Sequence, residues 1–175
     1  MSRIYIPDPA AAPEGSQATL GAIDAKLGQV PNFFRVLSNS PAVINAHAAL
    51  NQGLGKALDL KTRERIALAV AAVNGCEYCD AAHTFTGYTF AKLSKEEVDL
   101  ARQGTSADPH AAAATAFARK VAEARGKVSA EDIAAIRQAG FSDSQIVEIV
   151  AVVAESFFTN LINNVAGTDV DFPSI

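Results

Sequence analysis

The chain is poor in the features that usually place a protein at once. It has two cysteines in 175 residues, at positions 76 and 79. Its 15 Lys and Arg are outnumbered by 19 Asp and Glu, giving a formal charge of −4 and a pI near 5.3. The basic residues form no cluster, which excludes an electrostatic footprint for nucleic acid or an anionic membrane surface. No long apolar run is uninterrupted. The longest region, "IVEIVAVVAESFFTNLI", is broken by Glu148 and Glu155 and reads as a buried helix rather than a membrane span. The opening "MSRIYIPDPAAAPEGS" carries Pro, Asp and Glu where a signal peptide needs an apolar stretch, so the expectation is a cytoplasmic protein. Two cysteines in such a setting point to catalysis, metal binding or plain reduced thiols rather than to a structural staple. There is no strand-like alternation and no low-complexity segment.

What is present is a globular, all-α pattern. Hydrophobic residues make up 49% and charged residues 19%. Residues 1–15, with Pro7, Pro9 and Pro13, are expected to form an extended arm, and 16–175 a single helical domain of about eight or nine helices. Leu20, Ile23 and Leu27 share one face of a first helix ended by Gly28. Pro31 and Pro41 suit the first turns of the next two. Asp59 suits the cap of a fourth helix that stops at "NG", and a fifth begins near Cys76. Ser94, Ser129 and Ser142 each stand three before an acidic or amide residue, the capping-box spacing. Asp108 precedes Pro109 as a further cap. Gly104, Gly126, Gly140 and Gly167 follow helices where a left-handed residue is wanted. The last helix, about 143–166, is apolar on most sides and is expected to be central. The Ala-rich "AAAATAFA" reads only as good helix.

The chemistry concentrates in "NGCEYCDAAH". At the first turn of a helix, unpaired amides and the dipole favour a thiolate at Cys76. The three-residue step puts Cys76 and Cys79 on one face at a separation a disulfide can close. His83 lies four beyond Cys79 on the same stripe. If the fourth and fifth helices fold back through the glycine turn, Glu64 and His83 sit roughly 16 Å and 12 Å along their axes from Gly75. They are then almost level, within side-chain reach. A carboxylate beside an imidazole orients it and moves protons through it. Rival readings of these residues are buried spectator cysteines, or zinc held by Cys76, Cys79, His83 and a fourth ligand such as Glu64 or His47. Structural zinc, however, usually uses two separated ligand pairs, and no second pair is present. The absence of a βαβ pattern argues against a thioredoxin fold. His47 and His110 have no nameable partner and read as structural or exposed.

Read together, Glu64, eleven residues, Cys76-x-x-Cys79, three residues and His83 form an E-x11-C-x2-C-x3-H pattern. It resembles the alkylhydroperoxidase D-like (AhpD-like) branch of the carboxymuconolactone decarboxylase superfamily. "VPNFFRVLSNSP", "KTRERIALAVAAVNGCEYC" and "GFSDSQIVEIVAVVAESFFTNLINNVAGT" look like the same family. The resemblance implies an all-helical subunit assembling into trimers or hexamers. It also implies thiol-dependent peroxide reduction without metal, haem or flavin. Cys76 and Cys79 would be the redox pair, and His83 with Glu64 the proton relay. A lipoyl-bearing or thioredoxin-like dithiol protein would return the electrons. The founding pattern has histidine just before the second cysteine, where this chain has Tyr78, a hydrogen-bonding group but not a near-neutral base.

Two questions stay open on sequence. The helix dipole favours Cys76 as the attacking thiol, whereas the relay and the resemblance favour Cys79. The same scaffold also suits a decarboxylase-like lyase or isomerase with His83 and Glu64 as acid and base, or a non-catalytic helical module. The closing "GTDVDFPSI" offers Phe172 and Ile175 as a docking tail or a frayed end. The 49% apolar content favours a homo-oligomer.

Overall fold

The computed structural model describes residues 2–173. Among them a short 3-10 helix, Pro9–Ala11, precedes nine α-helices and there is no strand: α1 Glu14–Leu27, α2 Asn32–Leu37, α3 Pro41–Leu54, α4 Leu60–Asn74, α5 Glu77–Thr89, α6 Lys95–Arg102, α7 Pro109–Glu123, α8 Ala130–Gln138 and α9 Asp143–Ala166. The expected arm is thus shorter and partly ordered. Its prolines permit one 3-10 turn, and α1 begins at Glu14, before Ser16. The arm is also held at its start, where the Arg3 amide donates to the Ala166 carbonyl at 2.6 Å.

Local capping chemistry accounts for most helix starts. The Asp59, Ser129 and Ser142 side chains accept from backbone amides at the openings of α4, α8 and α9. The last two are full capping boxes, closed by Asp132 and Gln145. At Ser94 only half the box forms, because the Glu97 carboxylate is taken by Arg65 at 2.8 Å, Ser106 at 2.7 Å and the Ala107 amide at 2.8 Å. A buried guanidinium outcompetes the solvated N-cap amide for that carboxylate.

The central helix is α4, not α9. Every residue from Glu64 to Ala71 is buried, as expected only of a helix surrounded by others. It packs against α5, α6, α7 and α9. The alanines of α7 carry more weight than helix propensity alone. Ala114, Ala118 and Ala122 are fully buried in one cluster with Ile66 and Val70, where small side chains let α7 approach α4 closely. The helix α9 presents Ile146, Ile149, Val152 and Val153 to that cluster. Its other face leaves Val147 68%, Leu161 59% and Val165 63% exposed. By length and composition α9 is apolar enough to cross a membrane, and in this fold it packs beside α3, α4, α5 and α7. A second cluster gathers Leu20, Phe33, Leu37 and Ile44 around Cys76, Tyr78 and Cys79.

Candidate active site

The turn between α4 and α5 sets the site. Gly75 caps α4 in the left-handed region, φ 61°, and Cys76 becomes the N-cap of α5 rather than a residue of its first turn. The Cys76 sulfur accepts from the Cys79 amide at 3.3 Å, as a serine oxygen would in an ordinary cap. Cys76 and Cys79 are joined as a disulfide, with their Cα atoms 5.3 Å apart. Both sulfurs are buried beneath Phe33, Tyr78 and the apolar side of α9.

One wall of the hairpin carries the carboxylate and imidazole. Glu64 Oε2 lies 2.8 Å from His83 Nδ1 and accepts from Thr86 Oγ1 at 2.6 Å. A carboxylate only accepts, so Nδ1 carries the proton and Nε2 faces away from Glu64. Burial works against a charged imidazolium here, but the Glu64 carboxylate outweighs it. Charge and hydrogen bond together hold the His83 pKa above its ordinary value, with smaller help from Glu155 and Asp80. The imidazole keeps 30% of its side chain exposed, so protons can exchange with solvent. On the outer side of α5, Arg102 grips Asp80 with two hydrogen bonds, at 2.7 and 3.0 Å, and Thr84 at 2.7 Å. That fork fixes the rotation of α5 and hence the aim of His83.

A second histidine–carboxylate pair stands nearby. His47 on α3 is buried among Phe33, Phe34 and Phe158, the last stacked on it at 5.6 Å. Its Nε2 is 3.8 Å from Glu155 Oε1, which also accepts from Asn51 at 2.9 Å. Burial pushes the His47 pKa down, against the pull of Glu155. His47 therefore has a partner that sequence reasoning did not supply. His110 is exposed and stacks on Phe141 at 4.1 Å, with no link to the site.

Tyr78 has a structural position. Its buried hydroxyl accepts from the Phe33 amide at 3.0 Å and donates to Asp171 Oδ1 at 2.9 Å. Burial raises its pKa far above the ordinary value, against the pull of the Phe33 amide. Asp171 Oδ2 in turn accepts from the Asn32 amide at 2.7 Å, and Phe172 packs on Tyr78 and Phe85. The segment after α9 is thereby strapped across the start of α5. Ile175, the other half of the expected docking tail, lies outside the described residues.

Sequence reasoning missed three contributors. Thr86 lies three beyond His83 and shares its carboxylate. Glu155 interrupts an apolar helix, which was the available signal. The third is the run Asn160, Asn163 and Asn164, polar residues in the same apolar helix. Asn160 and Asn164 hold Asn74 at 2.9 and 3.0 Å, and Asn163 Nδ2 donates to the Cys79 sulfur at 3.3 Å. Among the described residues no group of three or more His, Cys, Asp or Glu is arranged to hold a metal ion.

Residues 41–124, which span α3 to α7 and include this site, match the carboxymuconolactone decarboxylase family. No curated protein sequence matches the chain significantly. Among solved structures, a peroxidase-related protein from Ralstonia eutropha JMP134 with the alkylhydroperoxidase AhpD core is 29% identical. The match has a TM-score of 0.86 and covers 97% of this chain and 92% of that one. A peroxidase-related protein from Silicibacter sp. TM1040 shares the fold at 23% identity and a TM-score of 0.81, over 95% and 89% of the two chains. The debrominase Bmp8, in complex with 2,3,4-tribromopyrrole, shares it at 19% identity and a TM-score of 0.80, over 98% and 92%. Residues 41–124 thus match the carboxymuconolactone decarboxylase family, and the chain has an AhpD-like helical fold.

Proposed function

We propose that this protein is a dithiol peroxidase. The observation that carries the reading is the Cys76–Cys79 pair at the head of the helix whose next turns present His83, held by Glu64. In the reduced state His83 takes the Cys79 proton through Nε2, the nitrogen Glu64 leaves free. The thiolate attacks the outer oxygen of a hydroperoxide, the O–O bond breaks, and Cys79 becomes a sulfenic acid. The departing alkoxide takes the proton from His83 and leaves as the alcohol. Cys76 then attacks the sulfenic sulfur, water departs, and the disulfide closes. One hydroperoxide and two thiols give one alcohol, one water and one disulfide. A dithiol partner, lipoyl-bearing or thioredoxin-like, restores both thiols by exchange and keeps its own disulfide. The raised proton affinity of His83 suits both halves, because the imidazolium stabilises the thiolate and then protonates the leaving group. A reducing cytoplasm is the setting such a cycle needs.

The exposed valine and leucine face of α9 supports a further element of the reading, assembly of copies of this chain through that face into a trimer or hexamer. Light scattering of Leu161→Glu tests it, with a loss of the oligomer expected and an unchanged particle mass counting against it.

The direct test is peroxide consumption with several dithiol reductants, using Cys79→Ser as control. Turnover by the parent and none by the variant is expected. Retained activity toward a carboxylated lactone in a double Cys→Ala protein would instead favour a lyase using Glu64 and His83. Debromination of a bromopyrrole without peroxide turnover would assign the dithiol to reductive dehalogenation.

A further inference from the structure

We infer that Asn163 is a positioning residue for the reactive sulfur: its side-chain amide selectively stabilises the Cys79 thiolate. The inference rests on the reading of Cys79 as the attacking thiol. Asn163 is 3% exposed, on the inward face of α9, and its Nδ2 donates to the Cys79 sulfur at 3.3 Å. A deprotonated or bridged sulfur only accepts, so the nitrogen must be the atom that faces it. Its Oδ1 is buried without a hydrogen-bond partner among the described residues.

That unpaired oxygen makes the arrangement informative. A buried amide satisfied at only one end costs stability relative to an apolar residue of the same size. The neighbouring Asn160 and Asn164 already pin Asn74, so Asn163 is not needed to hold the hairpin. A neutral thiol or a disulfide is a weak acceptor, whereas a thiolate makes a charge-assisted bond of about twice the strength. The contact therefore gains most in the reduced, ionised state. The two sulfurs are also treated differently. Among the described residues the donor to Cys76 is the Cys79 backbone amide, part of the helix start itself, and the donor to Cys79 is a side chain from a remote helix. Asn163 also lines a cavity of about 360 Å³ together with Arg3, Gly75, Tyr78 and Thr168.

Other charged and titratable groups around Cys79 are His83 on α5 with Glu64 behind it, Glu155 on α9, His47 on α3, and Tyr78 with Asp171 over the start of α5. Asp80 and Glu77 lie in the first turn of α5, and Arg3 borders the cavity. All of them remain when Asn163 is changed, so the comparison isolates the amide.

The test is the pH dependence of iodoacetamide alkylation in single-thiol proteins. In the Cys76→Ser background, Asn163→Ala is expected to raise the Cys79 midpoint by about one pH unit, the size of a lost hydrogen bond to a charge. Asn163→Asp keeps the shape and adds a negative charge, so it raises the midpoint further. In the Cys79→Ser background Asn163→Ala moves the Cys76 midpoint much less, and the two thiols are compared in that variant. The wild-type reduced protein gives a check that needs no substitution: the Asn163 side-chain amide protons titrate with Cys79 in NMR spectra. An unmoved Cys79 midpoint, equal movement of both thiols, or amide protons blind to the titration overturns the inference. Peroxide turnover separates this from the proposed function. A midpoint shift without turnover removes the peroxidase reading alone, and turnover without the shift removes the role of Asn163 alone.

Discussion

Glu64 and His83, 19 residues apart, meet at 2.8 Å across the α4–α5 hairpin, with Thr86 closing on the same carboxylate oxygen at 2.6 Å. A single oxygen therefore sets both the tautomer and the proton affinity of the imidazole. Glu64→Gln keeps the shape and removes the charge. It is expected to slow peroxide-driven oxidation of the thiols about 100-fold, the low end for a lost acid–base relay. Thr86→Val removes only an orienting bond, and its effect stays within about tenfold. Stopped-flow measurement of single-turnover oxidation reads both. Equal rates for parent and Glu64→Gln would remove the relay from the mechanism.

The same pair gives stability a definite pH dependence. His83 binds its proton more tightly folded than unfolded. Its contribution is then complete below the unfolded value, about 6.5, and is lost as pH rises through the raised folded value. The melting temperature of the parent should exceed that of Glu64→Gln most at pH 6, with the gap narrowing on the alkaline side. A gap that widens as pH rises would contradict the assignment.

His47 predicts the opposite slope. Its folded pKa is depressed, so the unfolded chain takes up the proton first and stability falls as pH drops below about 6.5. His47→Leu, in a cage of Phe33, Phe34 and Phe158, should flatten the acid limb of a denaturation series. An unchanged acid limb would place the acid sensitivity elsewhere.

These contacts separate what a linear chain discloses from what it hides. The Glu64–His83 meeting was legible because both residues belong to one hairpin, where rise per residue and one glycine turn suffice to place them. Helix starts at Asp59, Ser129 and Ser142 were legible because caps are local. Ser94 misled because Glu97 is claimed by Arg65, 32 residues away, and no local rule sees that competition. His47 with Glu155 and Asn163 with Cys79 were hidden for the same reason, since each pairing needs α9 docked. The central position assigned to α9 failed because apolar content does not say which face is covered.

Tyr78→Phe should cost about 1–3 kcal/mol, because it leaves the buried Phe33 amide unpaired and frees Asp171. Urea denaturation measures the loss. Limited proteolysis after α9 should quicken in the variant and not in the parent. An undisturbed C-terminal segment in Tyr78→Phe would show that Phe172 packing holds it unaided.

Gly75→Ala tests backbone strain alone, since a Cβ there meets nothing within 4 Å while φ is +61°. The expected cost is about 1–2 kcal/mol, the penalty of a left-handed residue with a side chain. Gly75→Asn should recover part of it. Thermal denaturation of the two variants gives the comparison, and no difference between them would point to a shifted turn.

The strap and α9 reach the cysteines from far down the chain: 84 residues separate Cys79 from Asn163, and 93 separate Tyr78 from Asp171. At synthesis rates of about 5–20 residues per second, the thiols of a nascent chain wait several seconds before the groups that cover them have been made. For that interval they are open to any oxidant in their surroundings, so the newborn protein is at its most vulnerable to the class of molecule it is proposed to remove.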